Sequence, residues 1–300
     1  MRTLMYTISL IVFTVFMSSC YQGSDYYQPT LEEVMTDYDI WYVNYNSTTG
    51  TGNIPMLSKA FTITFKQGRV YANNNLVGIG QTGNGYGIQI GTYNTQNGYL
   101  IINHDTDGSY AFEVIADTPQ SIRLYNSNHN VTYFLEGYHA SQFDFDQVFY
   151  DNIEYFLQEY IAWEKTYTSQ EGTPNEFDNE NYLAFTPENI TTFYSSKDNP
   201  GMALDDIIWD YTGSYEVYDV NGYDNLKIIK LFYEGNGYET FELVVLNDGT
   251  IELYHVDSGT TYEFSGRGFI QYKQPGKKAT TERQRTKVHR KTIERSSVKK

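Results

Sequence analysis

The sequence predicts a mainly β chain: two antiparallel barrels or sandwiches in tandem, joined by an amphipathic helix. Three observations carry this. Aromatic residues make up 17% of the chain, led by 30 Tyr and 17 Phe, and such side chains suit a pleated, half-buried surface. Short runs of alternating apolar and polar residues are separated by turn signals. The chain also repeats itself.

The repeat defines the units. Glu32, Tyr38, Trp41, Tyr45 and Gly50 recur as Glu154, Tyr160, Trp163, Tyr167 and Gly172, all at an offset of 122. Gly108, Phe112, Glu113, Ile122, Leu124, Tyr125, Thr132, Tyr133 and Gly137 recur as Gly237, Phe241, Glu242, Ile251, Leu253, Tyr254, Thr261, Tyr262 and Gly266, at an offset of 129 without a gap. Shared composition alone would not also align the tryptophans and the glycines. We therefore read one β unit over residues 31–140 and a second over 150–272. Each opens on a short helical stretch, continues with a Trp-bearing strand and ends in alternating strands, about eight per unit.

Within the first unit, Phe61, Ile63 and Phe65 alternate with polar residues and are expected to share one face. Thr250 to Tyr254 and Thr261 to Phe264 alternate in the second. Lys66-Gln67-Gly68, Asp107-Gly108, Asn247-Asp248-Gly249 and Asp257-Ser258-Gly259 are turn signals between strands. Between the units, Val148, Phe149, Ile153, Phe156, Leu157, Tyr160 and Ile161 recur at helical intervals. They predict a helix from about Asp146 to Glu159 within a linking segment 141–168.

The two ends of the chain differ in kind from this body. Met1-Arg2-Thr3 precedes an apolar run, Leu4 to Met17, followed by Ser18-Ser19-Cys20. The run is too short for a mature transmembrane helix, which needs ~20 residues. It reads as a signal peptide over residues 1–19, with Cys20 as the lipidation site and 20–30 as a lipidated tether. A cysteine is required because its thiolate takes the diacylglyceryl group and its freed amine a further acyl chain; two or more chains anchor stably. Cys20 is also the only Cys, so it has no disulfide to make. The expected location is the cell envelope, on the outer membrane of a Gram-negative bacterium. The membrane partner is reached through the lipid.

At the other end, Gly276 to Lys300 holds ten Lys or Arg against two Glu, a local charge of +8 that leaves −24 on the rest of a chain of net charge −16. Residues 273–300 are expected to be a disordered basic tail without an identified partner. An acidic body repels nucleic acid, so none is expected as a partner, although tail and body could attract each other.

Each unit opens with a Trp strand and closes on Tyr133-Phe134-Leu135 or Tyr262-Glu263-Phe264. In this the units resemble the small lipocalin-like domains of exported Bacteroidota lipoproteins. Phe149 to Ile153, Tyr71 to Gly78 and Trp163 to Tyr167 further resemble a group of flavobacterial lipoproteins, some of which go by the name nicotinic acid mononucleotide adenylyltransferase. The resemblance implies tandem lipocalin-like units and, by that name, an adenylyltransferase activity. The residues do not carry that activity. Such enzymes hold triphosphate with H-x-G-H, and none of His104, His129, His139, His255 and His289 is followed by x-Gly-His.

Other motifs are weak. Gly78, Gly80 and Gly83 form G-x-G-x-x-G, but a strand-like segment follows where a dinucleotide site needs a helix start. These glycines are expected to form a rim loop over a barrel mouth. Asp105 and Asp107 resemble the start of a calcium loop, yet Glu113 falls inside a predicted strand and no cofactor or metal is expected. Trp41 and Trp163 are candidate stacking surfaces for a glycan or an apolar ligand. No catalytic residue is assigned: Cys20 is consumed by lipid and no G-x-S-x-G occurs. The expected role is non-enzymatic binding of a ligand or partner, with the adenylyltransferase as the alternative.

Overall fold

The computed structural model describes residues 28–186, 189–235, 237–271, 283 and 285–295. The signal peptide and Cys20 lie outside the described residues. Among the described residues no helix is long and apolar enough to cross a membrane.

Both units are closed antiparallel barrels of eight strands. In barrel 1, α1 (Leu31–Thr36) leads into β1 (Ile40–Gly50) and α2 (Pro55–Lys59). Then come β2 (Thr62–Lys66), β3 (Arg69–Asn73), β4 (Ile88–Gln96), β5 (Tyr99–His104), β6 (Gly108–Thr118), β7 (Ser121–Asn126) and β8 (Val131–Tyr138). Each strand pairs with the next, and β8 returns to β1. The link holds α3 (Phe145–Asp151) and α4 (Ile153–Leu157). Barrel 2 is β9 (Tyr160–Thr168), β10 (Tyr182–Phe185), β11 (Thr192–Ser196), β12 (Tyr211–Val220), β13 (Tyr223–Tyr233), β14 (Tyr238–Asn247), β15 (Thr250–His255) and β16 (Thr261–Phe269), closed by β16 on β9. Closure removes the sheet edges that a sandwich would leave open.

Local chemistry explains most of this. Thr30 and Glu33 cap α1 reciprocally: the Thr30 side chain accepts the Glu33 N–H, and the Glu33 carboxylate accepts the Thr30 N–H. Gln67-Gly68 and Asn97-Gly98 have positive φ at both positions (51°, 73°, 52° and 82°), the geometry of tight two-residue hairpins. In β7 and β8 burial alternates residue by residue, with Ile122, Leu124, Val131, Tyr133 and Leu135 facing in.

The repeat is structural. Trp41 Nε1 donates to Met35 O at 3.0 Å, and Trp163 Nε1 donates to Leu157 O at 2.8 Å. Trp41 pairs with Gly137 across β1 and β8, as Trp163 pairs with Gly266 across β9 and β16. A Cβ on Gly137 would stand 2.4 Å from the Tyr38 ring, and one on Gly266 would stand 2.5 Å from the Tyr160 ring. Each Tyr needs its bare glycine backbone to reach its Trp.

Three expectations are corrected. The single linking helix is two short ones. Asn152 leaves helical geometry (φ −126°, ψ 36°) while its side chain donates to Val148 O and Tyr42 Oη and accepts from Arg285. Phe61 does not join Ile63 and Phe65 in the barrel 1 core; it packs edge-on to Tyr155 between the barrels. The basic tail is placed rather than disordered over its described residues. Lys291 O and Ile293 O accept the N–H groups of Asp219 and Asn221, and Thr292–Ile293 forms β17, parallel to β12. Its charge holds it: Arg283, Arg290 and Arg295 pair with Glu159, Glu154 and Glu242.

Candidate functional site

The seam between the barrels gathers several buried charges, Glu154, Glu159, Arg283 and Arg285 among them. From barrel 1 comes the long connection between β3 and β4, which contains the glycine motif. The Leu76 and Val77 N–H groups donate to the Glu159 carboxylate at 2.7 and 2.6 Å, and Gly78 N–H donates to Asp248 at 3.2 Å. Gly80 lies against the Phe145 ring. Gly78, Gly80 and Gly83 thus belong to a loop at one end of barrel 1 that docks on barrel 2. Positive φ at Gly78 and Gly83 (74° and 54°) lets this loop turn its N–H groups outward.

The tail enters the same seam. Arg283 Nη1 donates to Glu159 Oε1 at 2.9 Å, with both side chains almost wholly buried. Burial pushes the Glu159 carboxyl up; Arg283 and the two backbone N–H groups pull it back. Arg285 donates to Val43 O, Ala60 O and Asn152 Oδ1, and its guanidinium stacks 4.5 Å over the Phe61 ring. Its full burial pulls its basicity down. Arg290 grips Glu154 with two bonds, of 2.8 and 2.6 Å.

Beside these contacts lies a cleft of about 550 Å³. Barrel 1 contributes Tyr42, Asn44, Glu136 and Tyr138; α3 contributes Gln147 and Asp151; barrel 2 contributes Asp219, Asp224 and Lys227; and the tail closes one wall with Arg290 and Thr292. Burial raises the Asp151 carboxyl despite the Gln147 amide that donates to it at 2.9 Å. Tyr138 is pushed up to about 12 by burial and by Glu136, to which it donates. The Tyr138 phenol stays protonated and serves as a donor, and the Tyr42 oxygen accepts from the Asn152 amide. The lining offers amides, phenols and carboxylates, and it carries four carboxylates against two cations. Such a surface can hydrogen-bond a hydroxylated ligand and disfavours an anion.

A second polar cluster sits at the far end of barrel 2. The buried Glu180 carboxylate accepts from Ser195 Oγ and from Tyr233 Oη. Burial raises it to about 7, against those two hydrogen bonds. Nearby, Glu239, His255 and Asp257 place ligand atoms within 4.8 Å of one another. Both His255 nitrogens are already engaged, Nδ1 with Ser258 Oγ and Nε2 with Glu239 at 2.6 Å. That satisfies the ring without an ion.

The other candidates from the sequence are resolved by burial. Trp41 and Trp163 are fully buried in the two cores and present no face for stacking a ligand. Asp105 and Asp107 stand beside His104, whose Nδ1 accepts the Thr106 and Asp107 N–H groups; they form a turn and gather no third ligand among the described residues. Sequence reasoning missed Glu154, Glu159, Asn152 and the tail arginines. The available signal was charge: ten cations in the tail and an acidic body whose repeated Glu positions recur in the second unit.

Comparison of the chain with protein-family models, with curated proteins and with solved structures found no match.

Proposed function

We propose that this protein is a lipid-anchored binding protein of the cell envelope, held by acyl chains on Cys20, and that its ligand seat is the cleft between the barrels. The ligand class is a small neutral or cationic hydroxylated molecule such as a glycan fragment. The supporting observation is where polarity and space coincide. Both barrel cores are packed with Trp, Tyr and Phe that are fully buried, while the cleft is open and lined by donors and acceptors. An apolar ligand inside a barrel has no such support. Neither has the adenylyltransferase, which lacks H-x-G-H.

Titration calorimetry with neutral oligosaccharides, amino sugars and inorganic phosphate tests the ligand. Binding of a sugar that is lost in Asn44→Ala or Asp224→Ala supports the reading; binding of phosphate alone, or of none of them, sinks it. The anchor is tested separately. Metabolic labelling with radioactive palmitate should mark the native chain and leave Cys20→Ser unlabelled and released from membranes. A labelled Cys20→Ser variant would refute the anchor.

A further inference from the structure

Barrel 2 receives the docking loop of barrel 1 on a defined surface: the end of α4, Glu159 and the β14–β15 turn. Glu159 and Asp248 accept consecutive backbone N–H groups from Leu76 to Gly78. Leu76 and Ile79 lose all but 1% of their exposure there. Carboxylates take the loop's backbone, and apolar walls take its side chains.

The repeat carries that surface onto barrel 1. At an offset of 122, Glu33, Val34 and Asp37 stand where Tyr155, Phe156 and Glu159 stand in barrel 2. At an offset of 129, Ala116 to Pro119 stand where Val245 to Asp248 stand. These barrel 1 residues, with Pro29, line a recess of about 650 Å³. Its counterpart on barrel 2 is filled. Here the Asp37 carboxylate accepts no hydrogen bond from any described residue, whereas Glu159 accepts bonds from two backbone N–H groups and Arg283.

We infer that this recess is a second docking site and that its occupant is a loop of a partner protein, uncharged and glycine-containing. The loop offers consecutive backbone N–H groups to Asp37 and a Leu- or Ile-sized side chain to Val34, Ala116 and Pro119. The class follows from the loop that the same surface holds within the chain. Charge narrows it further: Glu33 and Asp37 put negative charge on the rim, while Asp117 is paired with Arg123. That disfavours a second copy of this chain. The loop of barrel 2 that corresponds to the docking loop, between β11 and β12, carries Asp198, Asp205, Asp206 and Asp210 against Lys197 alone. With the proposed lipid on Cys20, the recess would also lie near the membrane. Cys20 is nine residues before Pro29, a reach of at most ~30 Å. A partner held there is held close to the anchor.

The test uses the mature chain in detergent micelles and a synthetic peptide, acetylated and amidated, with the sequence of residues 74–83 as a stand-in for the partner loop. Fluorescence anisotropy of the labelled peptide is expected to show saturable binding, on the order of 0.1–1 mM for a short loop that orders on binding. Asp37→Asn should weaken it about tenfold and Val34→Asp should abolish it, with the unfolding midpoint of Asp37→Asn unchanged. A peptide with Leu76→Asp should not bind. Absence of saturable binding overturns the inference, as does binding indifferent to Asp37→Asn. Tighter binding after deletion of residues 21–27 would show that the chain's own tether fills the recess, and would overturn it too. None of these residues lines the cleft of the proposed ligand seat, so the two readings can fail separately.

Discussion

The two barrels hold the same residues at equivalent positions and use them differently. Glu32 of barrel 1 is exposed and accepts from Tyr93 Oη at 2.6 Å; its counterpart Glu154 is buried and paired with Arg290. Glu113 is exposed; its counterpart Glu242 is buried and paired with Arg295 at 2.8 Å. Asp37 is exposed; its counterpart Glu159 is fully buried and paired with Arg283. One cause accounts for all three: the tail sets an arginine against each of these carboxylates of barrel 2, and no described residue sets a cation against their counterparts on barrel 1. A repeated residue therefore specifies a position in the barrel. What covers that position decides whether it is a solvated surface charge or a buried ion pair.

The largest expected effect tests this directly. Arg283→Met leaves Glu159 buried without its counter-charge and should cost ~3–5 kcal/mol in urea unfolding. Asp37→Ala at the equivalent place should cost no more than ~0.5 kcal/mol. Equal costs would break the comparison. Deleting residues 272–300 removes the cover with the charges and lets water reach all three glutamates, so it should cost less than Arg283→Met and Arg290→Met combined.

Next come two substitutions that should match. Gly137→Ala and Gly266→Ala each drive a Cβ into a Tyr ring and should each cost ~1–3 kcal/mol. A difference above ~1 kcal/mol between their unfolding midpoints, converted to free energy, would mean that the two Tyr–Gly–Trp arrangements are not equivalent.

A smaller effect belongs to barrel 2 alone. Glu180 holds its proton up to about 7 in the fold, against 4.5 for the free carboxyl. Its folded pKa is raised, so the stabilisation is complete below about 4.5 and is lost as pH rises through about 7. Glu180→Gln keeps an acceptor for Ser195 and Tyr233 without the charge. It should match the native chain at pH 5 and exceed it by up to ~2 kcal/mol at pH 8, a figure discounted for the partial exposure of the site. A pH-independent difference would refute burial as the cause. The smallest effect is expected at the exposed Asp117–Arg123 pair: Arg123→Ala should lower the urea midpoint only slightly, and by less as salt is added.

How much was legible follows from how far each feature reaches along the chain. Gln67-Gly68 specifies its hairpin within two residues, because φ above zero is a local demand. Ile122, Leu124, Val131, Tyr133 and Leu135 announce their strands by alternation alone. The fourteen repeated positions announce two units, and Trp41 and Trp163 mark where each begins. The helix break at Asn152 was not legible: the periodicity runs straight through it, and its partners are Tyr42 and Arg285, which are 110 and 133 residues away. The candidate site was less legible still. Arg285 meets Val43 across 242 residues, and nothing near either one signals the other.

By itself, then, the sequence determined that this protein is a tandem of two alike β units between an apolar, cysteine-ended N-terminus and a basic C-terminus. Those features rest on spacing, alternation and net charge, which need no partner to be read. Tertiary structure alone decided that the sheets close, that the tail is stitched into the seam, and that one of two equivalent surfaces takes the docking loop while the other takes no loop among the described residues. Closure, burial and pairing depend on which distant groups share a desolvated space. A carboxylate at a repeated position stays in water or takes an arginine according to that neighbourhood, not its own sequence.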